Sequence, residues 1–270
     1  MSSTPLHSTL VGDHGPVVMF FHGLFGRGRN FSGIARALQP DYRCLLVDLP
    51  NHGASPWTDR IDYTEMAALV AAHLRQALPR EDAVAVVGHS MGGKVAMMLA
   101  LTEPGLVERL AVVDISPTGA GETSEFEHLL GSLARIDLSA VHNFGDADRA
   151  LSADVAQPTL RGFLLQNLRR NREAGTFAWQ PNLELLRRDL AVVASDIPHG
   201  DAVYEGPVLW IAGADSGYVA DEQMPTMRAL FPRTQLIRIK DAGHWVHSQQ
   251  PEVFTSALRY FLSRDFGKPS

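Results

Sequence analysis

The segment Gly88-His89-Ser90-Met91-Gly92 constrains the fold of this chain more than any other, because of the residues on either side of it. Residues 83–87 are apolar and mostly β-branched, which is typical of a buried strand. Residues 93–101 favour a helix that ends before Pro104. A strand and a helix joined by G-x-S-x-G predict a tight turn that presents the serine hydroxyl at the carboxyl edge of a sheet.

Ser90 is therefore the predicted nucleophile. Glycines two residues before and after it remove the side-chain carbons that would collide with the strand and the helix. The helix amino terminus favours negative charge beside the serine. An oxyanion formed there needs two backbone N–H donors. We expect Met91 to supply one and Leu24, in the loop 22–26, to supply the other, with Phe25 as the second choice.

A histidine late in the chain is expected to act as the base, because a serine hydroxyl must lose its proton as it attacks. His244 follows the predicted strand 235–239 and precedes the last predicted helix. Gly243 gives its loop the freedom to turn the ring towards the serine. His247 is the alternative, but it lies nearer the start of the helix, where a structural role is expected.

Two carboxylates are candidates for the acid that orients His244. Asp114 ends the predicted strand 110–113, and Asp215 follows a strand late in the chain. Both fit the chain order serine, acid, histidine. Both also lie at the carboxyl ends of strands, so the residues alone leave the choice open.

The composition excludes several functional classes. A net charge of −6 with no basic stripe argues against nucleic acid or an anionic membrane as a partner. Cys44 is the only cysteine, so neither an internal disulfide nor a thiolate metal cluster can form, and no metal or organic cofactor is implied. Residues 1–15 carry no secretory pattern, and no apolar run is long enough to cross a bilayer. We expect a cytoplasmic monomer or homodimer that acts on a small molecule.

Predicted strands and helices alternate along the chain, with one interruption. Short apolar strands alternate with helices up to about Pro117 and again from about Pro207, as in a parallel sheet. The stretch between has no convincing buried strand and carries three helical patterns, at 125–135, 157–171 and 183–193. The pattern predicts an α/β core formed by residues 1–115 and 205–270, with a helical cap inserted at 116–204.

These segments together resemble the α/β-hydrolase fold over nearly the whole chain. Within that fold, the chain is similar to the YbfF-type esterases and their mitochondrial abhydrolase relatives. The resemblance is carried by residues 22–26, 48–55, 88–94 and 113–117 and, in the cap, by 163–168 and 177–183. Pro50 is a departure, because relatives usually carry arginine there. The resemblance implies a mostly parallel sheet flanked by helices.

In this subgroup a serine often occupies the late acid position, and that position falls on Ser216 in this chain. The resemblance therefore implies Asp114 rather than Asp215 as the acid. It also implies a serine carboxylesterase that cleaves short- to medium-chain acyl esters through an acyl-enzyme. An acyltransferase, a perhydrolase or a C–C bond hydrolase would use the same triad, and a non-catalytic ligand receptor is the alternative from another class.

Bulky apolar residues predict that the acyl pocket is narrow. Most of them lie in the predicted cap. Phe25 lies in the predicted oxyanion loop, and Trp245 directly follows the predicted base. The predicted lining consists of Phe25, Phe126, Leu130, Phe163, Leu164, Trp179 and Trp245.

Overall fold

The computed structural model describes residues 5–119, 123–171 and 173–266. Its centre is a seven-stranded sheet in which every neighbouring pair is parallel except the first. In spatial order the strands are β1 (Ser8–Val11), β3 (Arg43–Val47), β2 (Val17–Phe21), β4 (Val84–His89), β5 (Val107–Val113), β8 (Val208–Gly213) and β9 (Thr234–Ile239). The predicted mostly parallel sheet is confirmed.

Alternate side chains of the central strands enter two separate apolar cores, one on each face of the sheet. In β2, Val17, Met19 and Phe21 face one core, and Val18 and Phe20 face the other. This two-sided burial explains why the strands read as continuous apolar runs. The first core is covered by α2 (Tyr63–Ala77), α3 (Met91–Thr102) and α9 (Met224–Leu230), the second by α1 (Ser32–Ala37), α10 (Val246–Gln249) and α11 (Pro251–Ser263).

The edge strand β1 was not predicted. Its four residues pair antiparallel with β3, and all four are exposed or half-buried. A short strand at a sheet edge buries little apolar surface, so its sequence carries no apolar run.

The segment between β5 and β8 contains five α-helices, a 3-10 turn at Leu138–Ala140 and a small hairpin in its described residues. The predicted helix over 157–171 ends at Leu165, and the chain then forms two three-residue strands joined by a turn in which Gly175 has a φ of +67°. Strands this short and exposed carry no apolar alternation. The elements are α4 (Ser124–Ala134), α5 (Phe144–Ser152), α6 (Pro158–Leu165), β6 (Leu168–Arg170), β7 (Phe177–Trp179), α7 (Leu183–Arg188) and α8 (Leu190–Ala194).

We propose that residues 116–204 form a cap over the core. Where the chain enters and leaves this segment, the Ile197 N–H donates to the Pro117 carbonyl at 2.9 Å. Two further bonds hold its far side to the core. The Asn182 N–H donates to the Asn51 carbonyl at 3.0 Å, and the Ile61 N–H donates to the Asp189 carboxylate at 2.9 Å.

The described ranges contain neither a helix suited to span a bilayer nor a metal centre. No helix there combines the necessary length and apolar composition. No group of three His, Cys, Asp or Glu side chains in those ranges is arranged to hold a metal ion. The cytoplasmic location and the monomeric or dimeric state stay predictions.

Candidate active site

Ser90 lies at the tip of the turn between β4 and α3. Its backbone has φ +53° and ψ −124°, a conformation that costs energy for any residue with a side chain. A side-chain carbon at Gly88 would collide with the backbone of Gly92, and one at Gly92 would lie 2.5 Å from the His22 carbonyl oxygen. The two glycines therefore permit the close packing that the strained turn requires.

A continuous hydrogen-bonded chain joins Ser90, His244 and Asp114. The Ser90 Oγ lies 3.0 Å from His244 Nε2, and His244 Nδ1 lies 2.8 Å from Asp114 Oδ2. An ionised carboxylate can only accept, so Nδ1 carries the proton and leaves Nε2 free to accept from the serine hydroxyl. This is the arrangement that a histidine base needs.

Asp114 is fully buried at the end of β5, with a φ of +49°. The Gly213 N–H donates to its Oδ1 at 2.9 Å, and the Ser216 hydroxyl donates to its Oδ2 at 2.5 Å. These donors and His244 together satisfy a carboxylate that has no access to water. Asp215, the alternative acid, is exposed, and it is Asp114 that contacts the imidazole.

His89 holds the backbone of the loop that carries His244. Its Nε2–H donates to the His244 carbonyl at 2.8 Å. Burial, followed by the neighbouring His247, holds the pKa of His89 well below its ordinary value, so the ring stays a neutral donor. His247 itself packs against His89 and Phe31, with ring centroids 4.7 and 4.8 Å apart. The packing agrees with the structural role expected for His247.

Leu24 and Met91, the predicted oxyanion donors, line one cavity with Ser90. Met91 is the first residue of α3, where helical N–H groups have no partner within the helix. Among the described residues, neither the Leu24 nor the Met91 N–H donates to another protein atom. Both groups are thus available to an oxygen beside Ser90, and their role stays a prediction.

The loop that carries Leu24 is held from both sides. His22 donates from Nδ1 to the Gly23 carbonyl at 2.8 Å and accepts at Nε2 from the Leu49 N–H at 3.0 Å. From the cap, the buried Asn167 donates through Nδ2 to the Phe25 carbonyl at 2.6 Å. Phe25 has a φ of +63°, so the turn needs such support to hold its shape.

The cavity beside Ser90 has a volume of about 30 Å³. It can hold a water molecule but not an acyl ester, so side chains or the cap must shift when a substrate enters. The other lining residues are mainly apolar and come from both the core and the cap. They are Leu24, Met91, Lys94, Ile115, Thr123, Phe126, Leu190, Val193, Ala194 and Tyr218.

A wider groove of about 440 Å³ lies between α6 and the loop after His244. Phe163 and Trp245 face each other across it, with ring centroids 6.3 Å apart. Phe126, which lines the inner cavity, packs edge-on to the His244 ring at 6.2 Å. Ser90 lines only the smaller cavity, and the two spaces have no lining residue in common.

The predicted pocket residues separate into different positions. Phe126 lines the inner cavity and Phe25 stacks on Phe126, whereas Phe163 and Trp245 line the outer groove. The other three, Leu130, Leu164 and Trp179, are absent from the described lining of both spaces, as Phe25 is. Leu130 and Leu164 are fully buried in the apolar core, and Trp179 packs against it.

Other residues at the site were not predicted. Leu190 and Val193 of α8 form part of the wall of the cavity beside Ser90. Tyr218 stacks on His244 with ring centroids 4.2 Å apart. Lys94 follows the glycines of the serine turn and also lines the cavity. Helical periodicity does not say which surface Leu190, Val193 and Lys94 face, and Tyr218 lies in a loop, where no periodicity applies.

Comparison with known proteins agrees with the predicted resemblance. A model of the alpha/beta hydrolase family matches residues 18–257. The sn-1-specific diacylglycerol lipase ABHD11 of Xenopus laevis is 40% identical over 254 residues, which cover 92% of this chain and 80% of the relative. Esterase YbfF of Escherichia coli (strain K12) is 28% identical over 254 residues, which cover 93% of this chain and 94% of the relative.

A solved structure described as a marine microorganism esterase has the same fold. It is 32% identical, and the superposition has a TM-score of 0.91 over 96% of this chain and 100% of the other. The predicted fold and the predicted similarity to the YbfF-type esterases are both confirmed.

Proposed function

The chain belongs to the alpha/beta hydrolase family and is a carboxylic ester hydrolase, and from this premise we propose that it cleaves short- to medium-chain acyl esters through an acyl-enzyme intermediate. The observation that carries the proposal is the unbroken hydrogen-bonded chain from Ser90 through His244 to Asp114. A non-catalytic receptor has no need of a strained serine aligned with a base.

In this mechanism His244 removes the hydroxyl proton as the Ser90 oxygen attacks the ester carbonyl. Asp114 stabilises the imidazolium that forms, and His244 then donates the proton to the departing alcohol. A water molecule, deprotonated by His244, hydrolyses the acyl-enzyme and restores the serine. The Leu24 and Met91 N–H groups stabilise the oxyanion in both steps, and loss of one such donor costs about 3 kcal/mol.

The inner cavity supports a limit on acyl length. Its wall beside Ser90 is mainly apolar, which favours an acyl chain over a polar group. Once the cavity has widened to admit an ester, each buried methylene contributes about 0.8 kcal/mol until the widened space is full, and further carbons then force strain. The Xenopus relative is named a diacylglycerol lipase, so long-chain acylglycerols are the competing substrate class.

A series of p-nitrophenyl esters from acetate to palmitate tests the proposal, with dioleoylglycerol as the competing substrate. We expect kcat/KM to rise over the first few carbons and then to fall. A burst of p-nitrophenol equal to the enzyme concentration would report the acyl-enzyme. Ser90→Ala is the control, and its turnover should vanish while the thermal unfolding transition is retained. An optimum at long chains, or a Ser90→Ala variant that retains turnover, would contradict the proposal.

A further inference from the structure

Lys94 is a fully buried lysine that contacts the cap rather than a carboxylate. It lies one helical turn after Ser90 on α3 and is 1% exposed. Its ammonium donates to the Ala194 carbonyl at 3.3 Å and also to the Ser195 carbonyl. These carbonyls belong to the carboxyl end of α8, the cap helix that contributes to the cavity wall.

A second buried core side chain holds the same helix end. The Tyr63 hydroxyl, at the start of α2, donates to the Val193 carbonyl at 2.7 Å. The Lys94 ammonium lies 5.9 Å from the centre of the Tyr63 ring. Two side chains of the core thus bind three successive carbonyls, those of residues 193–195.

Electrostatics explains why a lysine is tolerated at this position. A buried ammonium is unstable without partners. The carboxylate of Asp196, the residue after Ser195, acts on Lys94 through its charge and partly offsets the effect of burial on the lysine pKa. The free carbonyls at the end of a helix carry partial negative charge, which binds a cation. Burial lowers the pKa of Lys94 to about 8, so the group remains mostly protonated at neutral pH. The cation and the helix end therefore stabilise each other only while α8 is in place.

The held helix forms the boundary of the acyl space. Leu190, Val193 and Ala194 line the cavity that contains Ser90, and the three held carbonyls follow directly in the chain. An outward shift of α8 would enlarge that cavity, and the bonds from Lys94 and Tyr63 oppose such a shift.

We propose that Lys94 and Tyr63 form a clamp on α8 that sets the maximum acyl length accepted beside Ser90. The inference rests on the proposed esterase function and adds a structural determinant of its substrate range. Lys94 and Tyr63 act through the position of α8, so they are positioning residues rather than catalytic ones.

The test compares Lys94→Met and Tyr63→Phe with a matched control, Tyr204→Phe. Tyr204 is a buried tyrosine whose hydroxyl donates to the Val107 carbonyl of β5 at 2.9 Å, and it lines neither space of the site. The readout is the ratio of kcat/KM for the p-nitrophenyl octanoate to that for the butyrate. We expect this ratio to rise about tenfold in Lys94→Met, equivalent to about two further buried methylenes. It should rise less in Tyr63→Phe, mainly through a lower KM for the octanoate, and stay constant in Tyr204→Phe.

Amide hydrogen exchange over residues 190–197 gives a readout that does not depend on turnover. Exchange there should be faster in Lys94→Met and Tyr63→Phe and unchanged in Tyr204→Phe. If Lys94→Met does not fold, Tyr63→Phe carries the test alone, because it removes a single oxygen.

Unchanged ratios in both clamp variants, or an equal rise in Tyr204→Phe, would overturn the inference while leaving the esterase function intact. Absence of Ser90-dependent turnover in the unsubstituted protein would instead refute the proposed function and the inference together.

Discussion

The Ser216 hydroxyl donates to the same Asp114 oxygen, Oδ2, that accepts the hydrogen bond from His244. Ser216 lies three residues after Gly213, where an α/β hydrolase of another subgroup would carry its acid. A carboxylate at this position would face Asp114 at hydrogen-bond distance, and the repulsion would force one of the two to take up a proton. A serine supplies a hydrogen-bond donor instead, which helps to hold the buried carboxylate against the imidazole.

Substitution of Ser216 should alter catalysis without altering the fold. Ser216→Ala removes one of three donors to Asp114, and we expect kcat to fall about tenfold, since a hydrogen bond to a charged group contributes about 1.5–3 kcal/mol. Ser216→Thr, which retains the hydroxyl, should restore most of the activity. Steady-state kinetics on the p-nitrophenyl butyrate checks both variants. Equal kcat values for Ser216→Ala and the unsubstituted protein would show that the bond has no catalytic effect.

Asp114→Asn and Asp215→Asn should separate the two candidate acids. An amide at position 114 cannot stabilise the imidazolium and favours the wrong tautomer, so kcat should fall by about 10⁴. Asp215 is exposed, and the carboxylate that contacts His244 is that of Asp114, so the Asp215 variant should retain near-normal kcat. A larger loss in Asp215→Asn than in Asp114→Asn would reject the assignment.

His244→Ala and His247→Ala form a second matched pair. Removal of the base should reduce kcat by at least about 10³, as removal of the nucleophile does, because the members of a triad act as one unit. His247 packs against Phe31 and His89, so its variant should lower the unfolding temperature more than it lowers kcat. Both quantities are measurable on the same samples. Equal losses of kcat would mean that the base is shared.

Asn167→Asp tests whether the cap supports the oxyanion loop. A carboxylate cannot donate to the Phe25 carbonyl and repels it, so the loop carrying Leu24 should lose its alignment. We expect kcat to fall about tenfold or more with little change in KM, because the oxyanion forms only as the reaction proceeds. Asn182→Asp is the control. Asn182 caps α7 by accepting from the Leu185 N–H, which aspartate does equally well.

If both variants lost activity equally, the effect would reflect general weakening of the cap. Loss confined to KM in Asn167→Asp would place the residue in substrate binding instead.

The buried Lys94 should make stability depend on pH in the alkaline range. Its pKa is lowered to about 8 in the folded chain, against an ordinary value of 10.5. Between these values the unfolded chain binds a proton that the folded chain does not, so the free energy of unfolding rises with pH across that window. Relative to Lys94→Met, the gain should reach up to about 3 kcal/mol.

Urea unfolding at a series of pH values from neutral to alkaline measures this difference. Lys240→Met, which removes an exposed lysine, should show a constant difference from the unsubstituted protein. A constant difference for Lys94→Met as well would show that its pKa is not shifted.

The local parts of this site could be predicted because short-range rules determine them. Glycines around Ser90 predict a strained turn independently of the rest of the chain. The alternation of strands and helices predicts a parallel sheet with that turn at its carboxyl edge. His244 could be predicted because the end of the last strand, β9, lies at the same edge. The hairpin β6–β7 and the strand β1 could not, because each is too short and exposed for an apolar pattern to specify it.

The sequence by itself thus determined the α/β-hydrolase fold, the turn that carries Ser90 and the loop that carries His244. Strand position left Asp114 and Asp215 equal as candidate acids, and only the family resemblance favoured Asp114. The physical reason lies in the tertiary structure, since three-dimensional packing buries Asp114 and exposes Asp215. Tertiary structure alone decided the walls of the acyl cavity. Apolar spacing predicts that Leu130 and Leu190 are buried, but only the packing of the cap on the core places Leu190 in the wall of the cavity with Ser90 and leaves Leu130 out of it. The apolar spacing within one helix predicts which face is buried. A cavity wall is formed by residues from elements far apart in the chain, so local spacing cannot predict it.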